Sequence, residues 1–320
     1  MIFMAVLLQG AEGILTILVM IALGYYLCSK KWFDDRTTGV IVRLIIMVAL
    51  PLYMVNNILT DFTRSQLIDL IPGLIYPFIS MAVMFLLSLL AVKVVGVNEG
   101  RRGTFKSMFL NSNTIFIGLP VNLALFGTTS LPYVLIYYMA NTICFWTLGA
   151  YLIAKDGEHE LERPSLKVTL SRVFSPPFLA FLVAVALLMF NVKLPTFIMA
   201  DMNYLGSMTT PLSMLFIGIC IFNAGLENVR LTKDAWGILL GRFILSPFVM
   251  LCIVYYADIP QLMKEVFIIQ AAMPVMTNAP VIAKVSGADS DYAAIMVTLS
   301  TLTALIAIPF LLLAVSNIQF

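Results

Sequence analysis

Apolar runs of about 20 residues recur along almost the whole chain, separated by short polar or charged connections. A helix needs about 20 mostly apolar residues to cross a bilayer. The runs predict ten spanning helices, at about 10–28, 37–58, 71–95, 105–126, 131–154, 174–190, 207–226, 235–256, 264–284 and 291–314. The longest connection, 155–172, is charged and carries Glu158-His159-Glu160-Leu161-Glu162. The predicted organisation is a first five-helix repeat over 1–154, a cytoplasmic linker over 155–172 and a second five-helix repeat over 173–320. No connection has room for a soluble domain.

The two halves echo one another at an offset of 160 residues. Asn111-Ser112-Asn113-Thr114-Ile115-Phe116-Ile117-Gly118-Leu119-Pro120 leads to Gly127, and Ala271-Ala272-Met273-Pro274-Val275-Met276-Thr277-Asn278-Ala279-Pro280 leads to Gly287. Pro51-Leu52-Tyr53-Met54 matches Pro211-Leu212-Ser213-Met214 at the same offset. A tandem duplication accounts for the matches. Five spans is an odd number, so the second half enters the membrane inverted. The expected fold is an all-α integral membrane protein, a 5+5 inverted repeat with broken helices 4 and 9 crossing near the bilayer midplane.

Composition supports lipid as the solvent: 61% of the residues are hydrophobic and 11% charged, against about 25% charged in soluble domains. The net charge of +2 and the lack of a basic patch give no sign of nucleic acid as a partner. Cys28, Cys144, Cys220 and Cys252 lie in apolar runs without paired spacing and read as small buried hydrophobes. The first positive charges, Lys30 and Lys31, follow the first apolar run, as in a retained span whose N-terminus lies outside. On that topology only Arg64, Lys193 and Lys264 of the 19 Lys and Arg fall on the outer connections. Such a bias places both termini outside.

The helix-break residues are expected to be Gly118, Pro120, Pro274 and Pro280. Proline lacks an N–H and its ring clashes with the preceding turn. Freed backbone groups in hydrocarbon cost several kcal/mol unless protein or water satisfies them, so breaks persist where they are buried or line a cavity. Prolines also kink membrane helices without making a site, and Pro51 and Pro211 fit that role as well as a functional one. Two crossing breaks would present half-helix N-termini, each equivalent to about half a positive charge. Asn113, Thr114, Asn111, Thr277 and Asn278 would add side-chain donors, and Asn141, polar in mid-span, should face the bundle interior. That is an anion site. Arg242, about two turns into span 8, is either a functional charge or snorkels to the surface. Arg43 and Glu12 carry the same two readings nearer the interface, while Lys284 reads as a helix cap or surface anchor. No Asp or Glu sits securely at the midplane.

The stretch Asn113-Thr114-x-x-x-Gly118-Leu119-Pro120, with Phe126-Gly127, resembles the fourth span of the auxin efflux carrier family. That family holds plant auxin exporters and bacterial carriers of malonate and malate. Phe145-Trp146-Thr147-Leu148 resembles its fifth span, and Ala271-Ala272-Met273-Pro274 with Asn278 and Ala283-Lys284 its ninth. The resemblance covers the whole chain. It implies a carrier with a scaffold part and a moving part, with Asn113 contacting a substrate carboxylate and Trp146 standing where a substrate-facing Tyr is expected. It also implies a compact prokaryotic member, and extends to homodimers.

The leading expectation is a secondary transporter of a small organic anion, a carboxylate, by elevator-like alternating access in the cell membrane. The alternative is a sodium-coupled organic-anion symporter of the bile-acid carrier type, with a similar layout. A coupling ion, proton or sodium, is left open by the sequence. An intramembrane enzyme would need an Asp pair, a Ser–His or Ser–Lys arrangement or an H-E-x-x-H motif, and none is present. No cofactor or metal site is expected. A receptor would want a signalling domain, and a channel would differ in lacking saturable turnover.

Overall fold

The computed structural model describes residues 19–65, 68, 71–157, 176–224, 231–315 and 318. Glu12, the start of the first predicted span, Arg230 and nearly all of the predicted linker, including His159, lie outside the described residues. What is described is helical apart from one isolated backbone bridge. In chain order the helices are α1 (Val19–Ser29), α2 (Arg36–Asp61), α3 (Pro72–Val95), α4 (Arg102–Leu110), α5 (Thr114–Phe126) and α6 (Thr128–Ala154). There follow α7 (Pro176–Met189), α8 (Thr196–Gly206), α9 (Thr209–Ala224), α10 (Lys233–Val254), α11 (Gln261–Ala271), α12 (Ala279–Ser286) and α13 (Ser290–Val315).

Among the described residues six helices are long and apolar enough to cross a membrane: α2, α3, α6, the joined α8–α9 stretch, α10 and α13. The chain is therefore a multi-pass membrane protein. Helix α8 corrects the sequence reading, which left 191–206 as a connection. Pro195, just before it, fixes an extended residue at φ −55°, and the helix then starts at Thr196. The join at Ser207–Met208 falls 160 residues after the wide turn Ile45–Ala49 of α2, and Pro211 follows it as Pro51 follows the other.

Two groups of helices form. The second half of α2 packs on α7 and α8, and its first half on α9. Helix α1 joins this group through very close contact with α9. A Cβ on Gly24 would lie 2.3 Å from the Leu215 carbonyl oxygen, and one on Gly218 2.1 Å from that of Ile21. In lipid, helices associate through such packing rather than through hydrophobic transfer, so small residues at a crossing bring the backbones together. The second group contains α3–α6 and α10–α13, which pack on one another around Met84, Phe105, Phe109, Phe145 and Met296. Helix α9 meets α5 and α13 across the seam, where Phe116 and Phe216 lie 5.4 Å apart.

At one end of the second group Asp156 accepts from the backbone N–H of Gly103 (2.8 Å) and Thr104 (2.6 Å), satisfying the free donors that open α4. Arg101 pairs with Asp289 at 2.6 Å, tying the start of α4 to the start of α13.

Gly218→Ala is expected to lower stability by about 1–3 kcal/mol, because a methyl group meets backbone rather than a movable side chain. The unfolding temperature of the purified protein in detergent measures this; an unchanged value would mean that α1 and α9 can separate freely.

Candidate functional site

The two interruptions meet. Helix α4 ends at Leu110 and α5 begins at Thr114; α11 ends at Ala271 and α12 begins at Ala279. Between them Ser112 and Val275 form an antiparallel bridge, and the Asn113 N–H donates to the Pro274 carbonyl at 2.8 Å. Two broken helices thus cross through their unwound residues.

The breaks are not where the prolines stand. Gly118 and Pro120 lie within helical backbone after the break: α5 opens with a wide turn over Thr114–Gly118, and Pro120 is the second residue of Leu119–Phe126. Pro280 is likewise the second residue of α12. Proline suits a helix's first turn, where its missing N–H would have no partner, and Pro280 marks the start of α12 with the unwinding just upstream. Pro120 is the seventh residue of α5 and follows the wide turn Thr114–Gly118 directly. Pro274 alone of the four lies in an unwound stretch. The glycines after each half-helix behave alike: Gly127 and Gly287 both take φ +71° and end α5 and α12.

Side chains from neighbouring helices meet several of the freed backbone groups at the crossing. The Asn141 amide pairs with Ser112 in both directions, accepting from its N–H at 2.9 Å and donating to its carbonyl at 2.8 Å. The Ser300 hydroxyl accepts from the Val275 N–H at 3.1 Å. Ser246 donates to the Ala271 carbonyl at 2.9 Å, and the Gln270 amide to the Thr114 carbonyl at 3.3 Å. Arg242 is 0% exposed. It does not snorkel: its guanidinium donates to the carbonyls of Ala271 (2.6 Å), Met273 (2.8 and 3.0 Å), Phe109 and Leu110 (both 3.3 Å).

Beside the crossing, on the seam between the helix groups, lies a small cavity. Asn113, Phe116, Ile117 and Thr277 line it from the breaks, Phe216 and Cys220 from α9, and Thr298 and Thr301 from α13. Asn113 is 3% exposed; its Oδ1 accepts from the Phe116 N–H at 3.1 Å and so caps α5, while its Nδ2 has no partner in the protein. A buried donor left unpaired costs about 1–3 kcal/mol, which a ligand acceptor would relieve. A second, almost wholly apolar cavity shares Ile117, Ile217 and Thr301 with the first and continues to Ile21, Met214 and Ile308.

A membrane transport protein family model matches residues 10–312. This chain belongs to that family, the family of the auxin efflux carriers. An uncharacterized transporter of Methanothermobacter thermautotrophicus is 27% identical over 97% of this chain and 98% of its own. Another, of Methanocaldococcus jannaschii, is 24% identical over 82% of this chain and 85% of its own. The protein is therefore a membrane transporter, and the family's activity is not enzymatic.

Of the residues the sequence singled out in this transporter, Asn113 and Thr277 share the cavity wall. Thr114 is buried beside them, its carbonyl held by Gln270. Asn141 and Arg242 hold the backbone of the breaks. Asn111 turns its Nδ2 back to the Ser107 carbonyl at 3.1 Å, Asn278 precedes α12 half-buried, and Trp146 packs edge-on against Phe145 at 5.0 Å. None of these three lines the cavity. The sequence reading missed Ser246, Gln270, Thr298, Ser300 and Thr301. Their signal was an uncharged polar residue inside an apolar span, the same signal that picked out Asn141.

Asn141→Ala should leave the Ser112 N–H unpaired in a dry interior and its carbonyl with only the Thr114 N–H, at a cost of about 1–3 kcal/mol. Asn141→Asp, which can accept but not donate, should fall between. Thermal unfolding of the two variants checks the order; a neutral Ala variant would mean that Ser112 does not depend on Asn141.

Proposed function

We propose that this transporter carries a small organic anion, a carboxylate, and binds it in the cavity beside the crossing. The observation that carries this reading is the buried, unpartnered Nδ2 of Asn113, which lines a cavity bordered also by the first turn of α5 and by Thr277, two residues before α12. Half-helix N-termini favour negative charge, and Thr277 adds a hydroxyl on the same wall, whereas the Thr298 and Thr301 hydroxyls donate to carbonyls of their own helix. The remaining lining is apolar, which suits the body of a small carboxylate once its charged end is held. Carriage by elevator-like alternating access follows from the seam: one helix group would serve as scaffold, and the other, holding both breaks, would move against it. In this reading the chain is a ten-span inverted repeat with both termini outside, and the cavity lies near the midplane.

The test is binding of mono- and dicarboxylates to the purified protein, read as a rise in melting temperature. Asn113→Ala should weaken binding about tenfold, as expected for losing a hydrogen bond to a charged group. Asn113→Asp retains the cap on Phe116 but replaces the donor by a negative charge, so it should fold like the wild type and bind no carboxylate. Undiminished binding to the Asp variant would place the site elsewhere.

A further inference from the structure

A broken helix has two ends, and the anion reading uses only one. Where α4 and α11 stop at the crossing, their last carbonyls have no partner further along the helix, and each terminus is equivalent to about half a negative charge. The two C-terminal ends lie close enough together that a single guanidinium reaches both: Phe109 and Leu110 of α4, Ala271 of α11 and Met273 just beyond it. Left empty, such a ring of backbone oxygens has the chemistry of a hard-cation site, and unwound carbonyls with half-helix C-termini are where transporters place a coupling sodium. Here the ring is filled by the chain's own Arg242. Among the described residues no carboxylate forms an ion pair with it. Its unit charge offsets about −1 from the two C-terminal ends, so the N-terminal ends of α5 and α12 act on the cavity uncancelled.

We propose that Arg242 is a positioning residue that acts as a tethered cation: it occupies the carbonyl ring at the crossing in place of a bound sodium and gives the neighbouring cavity its preference for anions without touching the ligand. The proposal rests on the anion reading above and names how that site obtains its charge. It predicts that carboxylate binding needs no sodium.

The test has two arms. In the first, Thr277→Cys is placed in a protein whose four natural cysteines are replaced by Ala, and the rate of maleimide alkylation is followed against pH without any ligand. A nearby positive charge stabilises the thiolate, so in the further variant Arg242→Gln the alkylation midpoint should move to higher pH and the rate at pH 7 fall about threefold. Arg242→Lys should hold the original midpoint while lowering the melting temperature, because one ammonium cannot reach four carbonyls. A Gln variant with an unmoved midpoint, or a Lys variant with a moved one, overturns the proposal. In the second arm, binding of malonate and of isovalerate to the natural protein is compared in sodium chloride and choline chloride. Equal affinities are expected, and a tenfold tightening by sodium would overturn the proposal even if Arg242→Gln does not fold. Should neither acid bind in any salt, the anion reading fails while the alkylation arm still decides what Arg242 does.

Discussion

An N–H or C=O freed from a helix inside a bilayer meets no water, and each one left unpaired costs several kcal/mol. The core of this protein is organised around that constraint. Two helices unwind where they cross, over Asn111–Asn113 and Ala272–Asn278, and their freed groups are met by Asn141 from α6, Ser300 from α13, Ser246 and Arg242 from α10, and by each other through the Asn113–Pro274 bond. The braces come from three neighbouring helices, so the break holds only while α6, α10 and α13 stay packed around it. This is a physical reason for α3–α6 and α10–α13 to behave as one body, and for the seam with α9 to be the place where movement is least costly.

The two braces beside the bridge have related positions in the two halves. Asn141 serves the break in the first half and Ser300 the break in the second, 159 residues later. The solutions are nevertheless unequal. The asparagine satisfies both polar groups of Ser112, whereas Ser300 serves the Val275 N–H and its own hydroxyl proton goes to Val297. Arg242 has Ala82 at the corresponding place in the first half, and it spans both helix ends alone. A duplicated chain needs only one cation where two C-termini converge.

The membrane class, the matched interruptions and the place of Asn113 at the first of them were legible in the sequence, because they rest on apolar run length and on residues with fixed conformational meaning. The exact place of unwinding was not. Gly118, Pro120 and Pro280 drew attention downstream, since a proline announces an irregularity without saying on which side of it the helix stops. Helix α8 was missed for a related reason: Asp201 and Asn203 dilute its apolar character, although it packs firmly on α2. Trp146 and Asn111 have the right chemistry for a site, but helix geometry turns them to other neighbours. Residues such as Ser246 and Ser300 acquire their roles only from which backbone they face, and that is a property of packing.

Under the proposed anion reading, Arg242 and Asn113 divide a task that one residue could perform less well. A guanidinium placed directly on a carboxylate would form a buried ion pair, and breaking such a pair leaves an uncompensated charge at a cost of about 3–5 kcal/mol. A carrier must release its cargo on every cycle, so that cost would appear as slow release. An amide or hydroxyl donor contributes only about 0.5–1.5 kcal/mol net and loses little when the ligand leaves. Keeping the full charge one layer back, bonded to backbone carbonyls whether or not ligand is present, cancels the two helix C-termini and leaves the positive N-termini standing, while the contacts made and broken in each cycle stay neutral. The cavity wall carries Asn113 and Thr277 and no charged side chain. On this reading the strongest polar interactions in the protein hold the crossing, and the weaker ones do the recognition.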